Sequence, residues 1–307
     1  MNLSIVTTLY YSAPYVEEFY RRASASAQEI TSDYELIFVD DGSPDNSLNI
    51  ALSLHARDSR VRVIELSRNF GHHRAIMTGL EHSKGDLVFL LDSDLEEAPE
   101  ILAQFLVEMQ ACGADVIYGV QKTRRGQWFE RAAGSLFYRI FNALSVYPVP
   151  ANPLTARLMN QRYVTALVQH RDREIFLAGL WAITGFRQVG IQVEKGHKGV
   201  TTYNLARRVT ALVDAITSFS NRPLICIFYV GSAIVTISAA AGIALMLRVL
   251  FFGSFLPGWA SLMVSIWFLG GLMIFCIGIV GVYLSRVFSE TKDRPYTIIR
   301  QLHERSE

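Results

Sequence analysis

Two short acidic runs carry most of the chemistry available to this chain. Asp40-Asp41 close the run LIFV, and Asp92, Asp94 and Glu96 follow VFLL at alternate positions in "VFLLDSDLEEAPE". Like charges held this close cost free energy unless something neutralises them. In an extended segment Asp92 and Asp94 project to one side, and Glu96 joins them if the extension continues. Three carboxylates converging on one point suit Mg²⁺ or Mn²⁺, hard cations that also bridge to a substrate's phosphates. One Asp alone would more simply cap a helix or close a turn. Glu97 and Glu100 are expected to open the next helix, where acids are favoured.

The elements that must hold these acids follow from periodicity. Strands are expected over 3–9, 36–39, 61–66, 87–91 and 116–120, and helices over 16–30, 47–55, 74–82 and 99–111. This alternation implies an α/β domain, a mainly parallel sheet with helices on both faces. In such sheets ligands sit beyond the carboxyl ends of the strands, and both acidic runs fall there. The chain has no GxGxxG and no P-loop lysine motif, which argues against a dinucleotide-dependent dehydrogenase or an NTPase.

Half of the 307 residues are hydrophobic and the net charge is +1, so the overall charge points to no polyanion partner and no nucleic acid. Across 223–252 the only charged residue is Arg248, and across 259–285 there is none. Each run exceeds the roughly 20 residues needed to cross a bilayer. Gly270-Gly271 and Gly278/Gly281 suit close helix packing in lipid and leave pairing between protomers open. Arg207, Arg208 and Arg222 precede the first run, and Arg286, Lys292, Arg294 and Arg300 follow the second, while the connecting turn has no Lys or Arg. Both termini and residues 1–222 are therefore expected to face the cytoplasm. MNLSIVTTLYY lacks the basic start and long apolar region of a signal peptide. Cys112, Cys226 and Cys276 have no metal-ligand spacing and read as reduced packing residues.

The runs "IFVDDGSPDNS", "LSRNFGHHRAIMTGL", "GDLVFLLDSDLEEAPE" and "GFRQVGI" resemble the family-2 inverting glycosyltransferases of the polyprenyl-phosphate branch, which includes bactoprenol glucosyltransferases and dolichyl-phosphate mannose synthases. The tail is similar too: "ITSFSNRPL", two apolar runs with "GWASLMVSIWFLGGL" in the second, then "GVYLSRVFSETKDRPYTII". The resemblance implies a GT-A-like fold, a UDP-sugar donor and a polyprenyl-phosphate acceptor. It places Thr8 and Tyr10 in the base and ribose pocket and Asp41 against the uracil imide. Asp40 supports that loop, and Asp92 and Asp94 match the metal-binding DxD. Glu96 stands where the family commonly has Gln. Arg68 and His72 are near-site candidates, though Arg68 also reads as a surface ion-pair partner.

Two stretches read as amphipathic helices beside the membrane. In "WFERAAGSLFYRIFNAL", 128–144, apolar residues line one face and Arg131, Ser135 and Arg139 lie largely on the other. The segment 204–223 repeats the pattern. Either a core helix or an interfacial one would look like this. By resemblance Lys122, Arg131 and Ser135 fall near the acceptor-phosphate site, where Arg suits a phosphate well. Some positions depart from the family. "NAGDFRLM" reads "NPLTARLM" at 152–159, so Thr155 stands in place of a carboxylate often assigned to catalysis, while Arg157 remains and could orient phosphate. The candidate catalytic positions are thus Asp94, Thr155 and Arg157. "GESKYSL" reads "GVTTYNL" at 199–205, losing a Lys that His197 or Lys198 could replace.

The expected organisation is a glycosyltransferase domain over 1–222 with its interfacial helices, two transmembrane helices within 223–285, and a cytoplasmic tail over 286–307. The expected reaction is transfer of one sugar from a UDP-sugar to undecaprenyl phosphate with inversion, giving a lipid-linked donor for glycan modification. Two rivals differ in class. A processive polysaccharide synthase would need a QxxRW motif, which is absent. A non-catalytic membrane scaffold would account for Thr155 and the missing Lys, but not for intact acids at Asp41, Asp92 and Asp94.

Overall fold

The computed structural model describes residues 2–121, 153–173, 175–193, 220–252 and 258–304. Two compact units divide them. One holds the sheet, its helices and the tail from Arg294, and the other holds two long helices.

The sheet unit begins with β1 (Leu3–Leu9), α1 (Val16–Gln28), β2 (Tyr34–Asp40), α2 (Ser47–Arg57), β3 (Val61–Leu66), α3 (His72–Glu81), β4 (Leu87–Leu90), α4 (Ile101–Cys112) and β5 (Val116–Gln121). It continues with β6 (Pro153–Asn160), α5 (Gln161–Leu167), α6 (Leu177–Ile183) and β7 (Gln188–Val193), and closes with β8 (Ile299–His303). The spatial strand order is β7-β5-β6-β4-β1-β2-β3-β8. Strand β1 is parallel to both β2 and β4, and β2 to β3, whereas β6 runs antiparallel to β4 and β5. All seven residues of β1, LSIVTTL, are buried, as a strand covered on both faces must be. Helices α1, α2 and α4 pack together on one face, and α3 with α5 on the other. Phe19 meets Phe38, and Phe89 meets Phe105, edge to face within the core under the first layer.

Gly79 draws α3 close to the sheet. A Cβ there would lie 2.5 Å from Val6 Cγ1 and 2.9 Å from Val39 Cγ2. Only glycine lets the helix approach this far, and the approach sets the start of α3 over the end of β1.

The tail, expected as a separate segment, instead supplies β8. This strand pairs antiparallel with β3, with Ile64 opposite Leu302. It covers an edge that would otherwise offer unpaired backbone groups.

The second unit contains α7 (Arg222–Phe252) and α8 (Trp259–Thr291), both long and apolar enough to cross a membrane. Large apolar side chains such as Phe251, Trp267 and Ile274 are exposed along them. Tyr283, late in α8, donates from Oη to the Ser220 carbonyl just before α7 at 2.6 Å, so the two helices run back along one another. The three cysteines are unbridged; Cys226 lies exposed on α7.

Candidate functional site

Sheet order decides where the site lies. From β1 the chain steps to β2 and β3 on one side, then crosses to β4 on the other. The carboxyl ends of β1 and β4 therefore flank a switch point, the usual place for a ligand crevice. Register brings Leu9 beside Asp40 and Val6 beside Leu90. Thr8, Tyr10, Asp40, Asp41 and Asp92 all gather at this edge. β6 runs antiparallel to β4 with Leu90 opposite Arg157, so Thr155 reaches the same edge beyond the end of that pairing.

Asp41 is nearly fully buried. Its Oδ1 accepts the Phe70 N–H at 2.7 Å and its Oδ2 the Gly71 N–H at 3.0 Å. Burial pushes its pKa up, against the pull of these two amides and of nearby His72 and Arg68. Arg68 stacks on Phe70 and donates to the Asn69 carbonyl. The loop after Asp41 is tied down as well. Asp45 accepts from the Ser43 and Ser47 hydroxyls and from the Ala13 amide. Burial raises its pKa, but these hydrogen bonds outweigh that and hold it at about 2. Tyr10 and Tyr11 stand exposed at the crevice mouth with rings 4.9 Å apart, Tyr11 at a φ of 54°. Two exposed aromatic faces at a strand end suit stacking of a base. Tyr11 is not among the positions that sequence reasoning singles out; the doubled tyrosine is the signal that could have found it.

Asp40 has a different environment. Its Oδ1 is buried without a hydrogen-bond partner, and Oδ2 accepts the Ser43 N–H at 3.4 Å. Burial first, with the Glu65 and Asp41 charges, raises its pKa from 3.8 to about 6. The folded protein thus retains a proton that the unfolded chain releases at lower pH. Its contribution to stability is present in acid and is lost as pH rises through about 6. Asp40→Asn removes this dependence. Melting curves should show wild type gaining on the variant when pH falls from about 8 to about 5. A difference between the two that does not move with pH would contradict the assignment.

His72, the first residue of α3, links two of the strand ends. Its Nδ1 lies 3.1 Å from Thr8 Oγ1 and its Nε2 lies 3.4 Å from Asp92 Oδ1. Ser93, between the two acids, donates to the Thr8 carbonyl at 2.9 Å, and its Oγ lies 3.0 Å from Ser12 Oγ. Next to this edge lies a cleft of about 400 Å³ lined by Phe70, Gly71, His72, His73, Arg74 and Ile175.

The acidic run itself departs from the extended form expected. The chain turns at 93–94, Leu95 has a φ of 60°, and Asp94 Oδ1 accepts the Glu96 N–H at 3.1 Å. Glu96 therefore does not continue the register of Asp92 and Asp94. Among the described residues no three His, Cys, Asp or Glu side chains are grouped to hold a metal. The donor chemistry still fits a hard cation in a leaner form. Mg²⁺ is commonly held by one or two carboxylates, with substrate phosphates and water completing the shell. Asp92 and Asp94 can supply that pair; the three-acid cage with Glu96 is not formed.

Glu97 does not open a helix. It is 2% exposed and its Oε2 accepts the Ala156 N–H at 2.8 Å, binding the acidic loop to β6. Helix α4 starts later, at Ile101, with Glu100 as its N-cap as expected, and Glu100 pairs with Arg22. Arg157 also differs from the phosphate-orienting residue expected. It is 1% exposed, stacks its guanidinium on Trp181, and donates to the Leu154 and Thr155 carbonyls. Burial lowers its pKa to about 10, partly offset by Tyr163, Tyr118 and Glu97. In this arrangement it braces β6 from within. Lys122, Arg131 and Ser135, the helix expected at 128–144, residues 204–219 of the helix expected at 204–223, and His197 and Lys198 lie outside the described residues; of the last four positions of that helix, 220 and 221 are not helical and 222 begins α7.

Comparison with known proteins identifies the family. The family model for glycosyl transferase family 2 matches residues 4–172, more than half of the chain. A Mycobacterium tuberculosis protein assigned by name alone to the glycosyltransferases is 56% identical over 303 residues, covering 99% of this chain and 89% of that one. The prophage-derived bactoprenol glucosyl transferase of Shigella flexneri is 29% identical over 306 residues, covering 99% of each. Among solved structures, mannosyl-3-phosphoglycerate synthase from Rubrobacter xylanophilus aligns with 71% of the chain and 73% of its own, at 18% identity and a TM-score of 0.49. With a mainly parallel GT-A-like sheet and acids at its carboxyl edge, this chain belongs to glycosyl transferase family 2.

Proposed function

We propose that the protein transfers one sugar from a UDP-sugar to undecaprenyl phosphate at the cytoplasmic face of a bacterial inner membrane, with inversion at the anomeric carbon. One observation carries this reading: a sheet edge bearing Thr8, Tyr10, Asp41, Asp92 and Asp94 occurs in a chain with two bilayer-length apolar helices. The likeness to a bactoprenol glucosyl transferase over 99% of both chains supports the lipid acceptor.

The residues divide the work as follows. Tyr10 and Tyr11 offer faces to the base, and Asp41 lies at the floor of the crevice with its carboxylate fixed by two amides. Asp92 and Asp94 would hold Mg²⁺ or Mn²⁺, which when bound offsets the charge of the leaving diphosphate. The acceptor phosphate is already anionic near neutral pH, so its oxygen can attack without a strong base. Thr155 in place of a carboxylate is compatible with that chemistry. Lys122, Arg131 and Ser135 remain the proposed acceptor-phosphate contacts. The product, a lipid-linked sugar, would serve as donor in later glycan modification. Radiolabelled UDP-sugars tested with undecaprenyl phosphate separate the readings: a mono-glycosylated lipid is expected, a polymer would indicate a processive synthase, and no product a scaffold.

The return of the chain to its own sheet supports the topology. It leaves that unit after β7, forms α7 and α8, and rejoins the sheet as β8. An even number of crossings is needed to come back to the same side. In a protein with Cys112, Cys226 and Cys276 replaced by Ala, Ser254→Cys should react with an impermeant thiol reagent from outside, and Ser306→Cys should not. The reverse pattern would overturn the orientation.

A further inference from the structure

We propose that the C-terminal strand is a positioning element of the donor site, anchoring the loop 67–71 whose amides grip Asp41. The inference rests on the reading of the acidic edge as the nucleotide-sugar site. The β3–β8 pairing shifts register between Glu65 and Leu66. Just beyond that shift both backbone groups of Ser67 are taken by the tail. Its N–H donates to the Ile298 carbonyl at 2.8 Å, and its carbonyl accepts from Arg300 Nη2 at 3.0 Å. Arg300 Nη1 also donates to Glu65 Oε1 at 2.8 Å. At the far end of the loop the Phe70 and Gly71 amides donate to Asp41. Between these anchors, the backbone of Arg68 and Asn69 lies against Gly42, so closely that a Cβ on Gly42 would fall 2.6 Å from it.

The tail holds the following helix as well. Thr297 Oγ1 lies 2.9 Å from Thr78 Oγ1, and Tyr296 donates from Oη to Glu81 Oε2 at 2.7 Å. Helix α3 begins at His72, which meets Thr8 and Asp92. The tail thus fixes the loop at its start and the helix towards its end, and the site residues lie between those two points. A strand that merely covered the sheet edge would stabilise the unit as a whole. A positioning strand acts selectively on 67–71.

The full-length protein in lipid is compared with Arg300→Ala, Arg300→Lys and the double variant Thr297→Val/Arg300→Ala. Amide hydrogen exchange and UDP binding with Mn²⁺ are measured for each, with separate donor and acceptor kinetics. In Arg300→Ala, exchange at Phe70 and Gly71 should rise about three- to tenfold, the size expected for losing one or two hydrogen bonds. Exchange in β1 and β2 should stay unchanged. UDP binding should weaken by a similar factor, with KM for the lipid phosphate unaltered. The double variant should exceed both effects, and Arg300→Lys should recover part of them. Unchanged exchange across 67–71, or a uniform rise over the whole sheet, would overturn the inference. Failure of wild type to bind UDP would defeat the donor reading instead, and the exchange pattern would still decide the anchoring.

Discussion

Asp94→Asn should abolish sugar transfer while leaving the sheet unit folded. Asp94 Oδ1 accepts the Glu96 N–H across the turn, a bond the amide oxygen of Asn can still accept. The substitution therefore removes charge and keeps the local geometry. In the proposed site Asp92 and Asp94 would hold the cation, and losing one of the two carboxylate charges would weaken that hold. Removing an interaction that stabilises developing charge costs about 10²–10³ in rate, or about 3–4 kcal/mol of barrier. A second readout does not depend on turnover. Mn²⁺ with UDP should raise the melting temperature of wild type, and that rise should shrink in the variant, because ligand stabilisation follows affinity. An active Asp94→Asn, or a wild type indifferent to divalent cations, would sink the two-carboxylate model.

Gly42→Ala should damage both the stability of the sheet unit and its proposed nucleotide edge. Gly42 has a φ of 63°, a conformation that costs an L-residue about 1–2 kcal/mol. Its new Cβ would also lie 2.6 Å from the Arg68 carbonyl carbon and the Asn69 nitrogen. Both are backbone atoms, so the loop 67–71 must move as a body, and with it the amides that fix Asp41. The melting temperature should fall by about 5–10 °C, given about 2–4 °C per kcal/mol for a domain of this size. UDP affinity should drop by about tenfold or more, which corresponds to about 1.4 kcal/mol. Gly113→Ala is the matched control. Gly113 ends α4 at a φ of 60°, and a Cβ added there would meet nothing within 4 Å. It should show the conformational cost alone and no change in UDP binding. Equal behaviour of the two variants would mean that the contact with the loop is unimportant.

Much of this protein can be read directly from the chain. The strands at 3–9 and 61–66, the start of β4 at Leu87, the helices between them, and the delivery of Asp40, Asp41 and Asp92 to one edge follow from local periodicity. The two long apolar helices follow from composition. These features are local: each depends on residues a few positions apart, and burial on both faces leaves a continuous apolar run. Tertiary contacts decided the rest. The spacing of the acids predicts an extended run, but the turn at 93–94 and the positive φ of Leu95 redirect it, and Glu97 is drawn to the Ala156 amide of β6. Nothing within the run signals a partner 59 positions away. Arg157 reads as an available cation, yet packing against Trp181 removes it from solvent. The tail over 286–307 offers one short apolar stretch with no alternation strong enough to announce a strand, and only the unpaired edge of β3 makes it one. Local pattern specifies elements and the ends to which they deliver side chains. Which edge is paired, which charge is buried and which turn is held depend on groups far apart in sequence, whose mutual satisfaction exists only once the chain has folded.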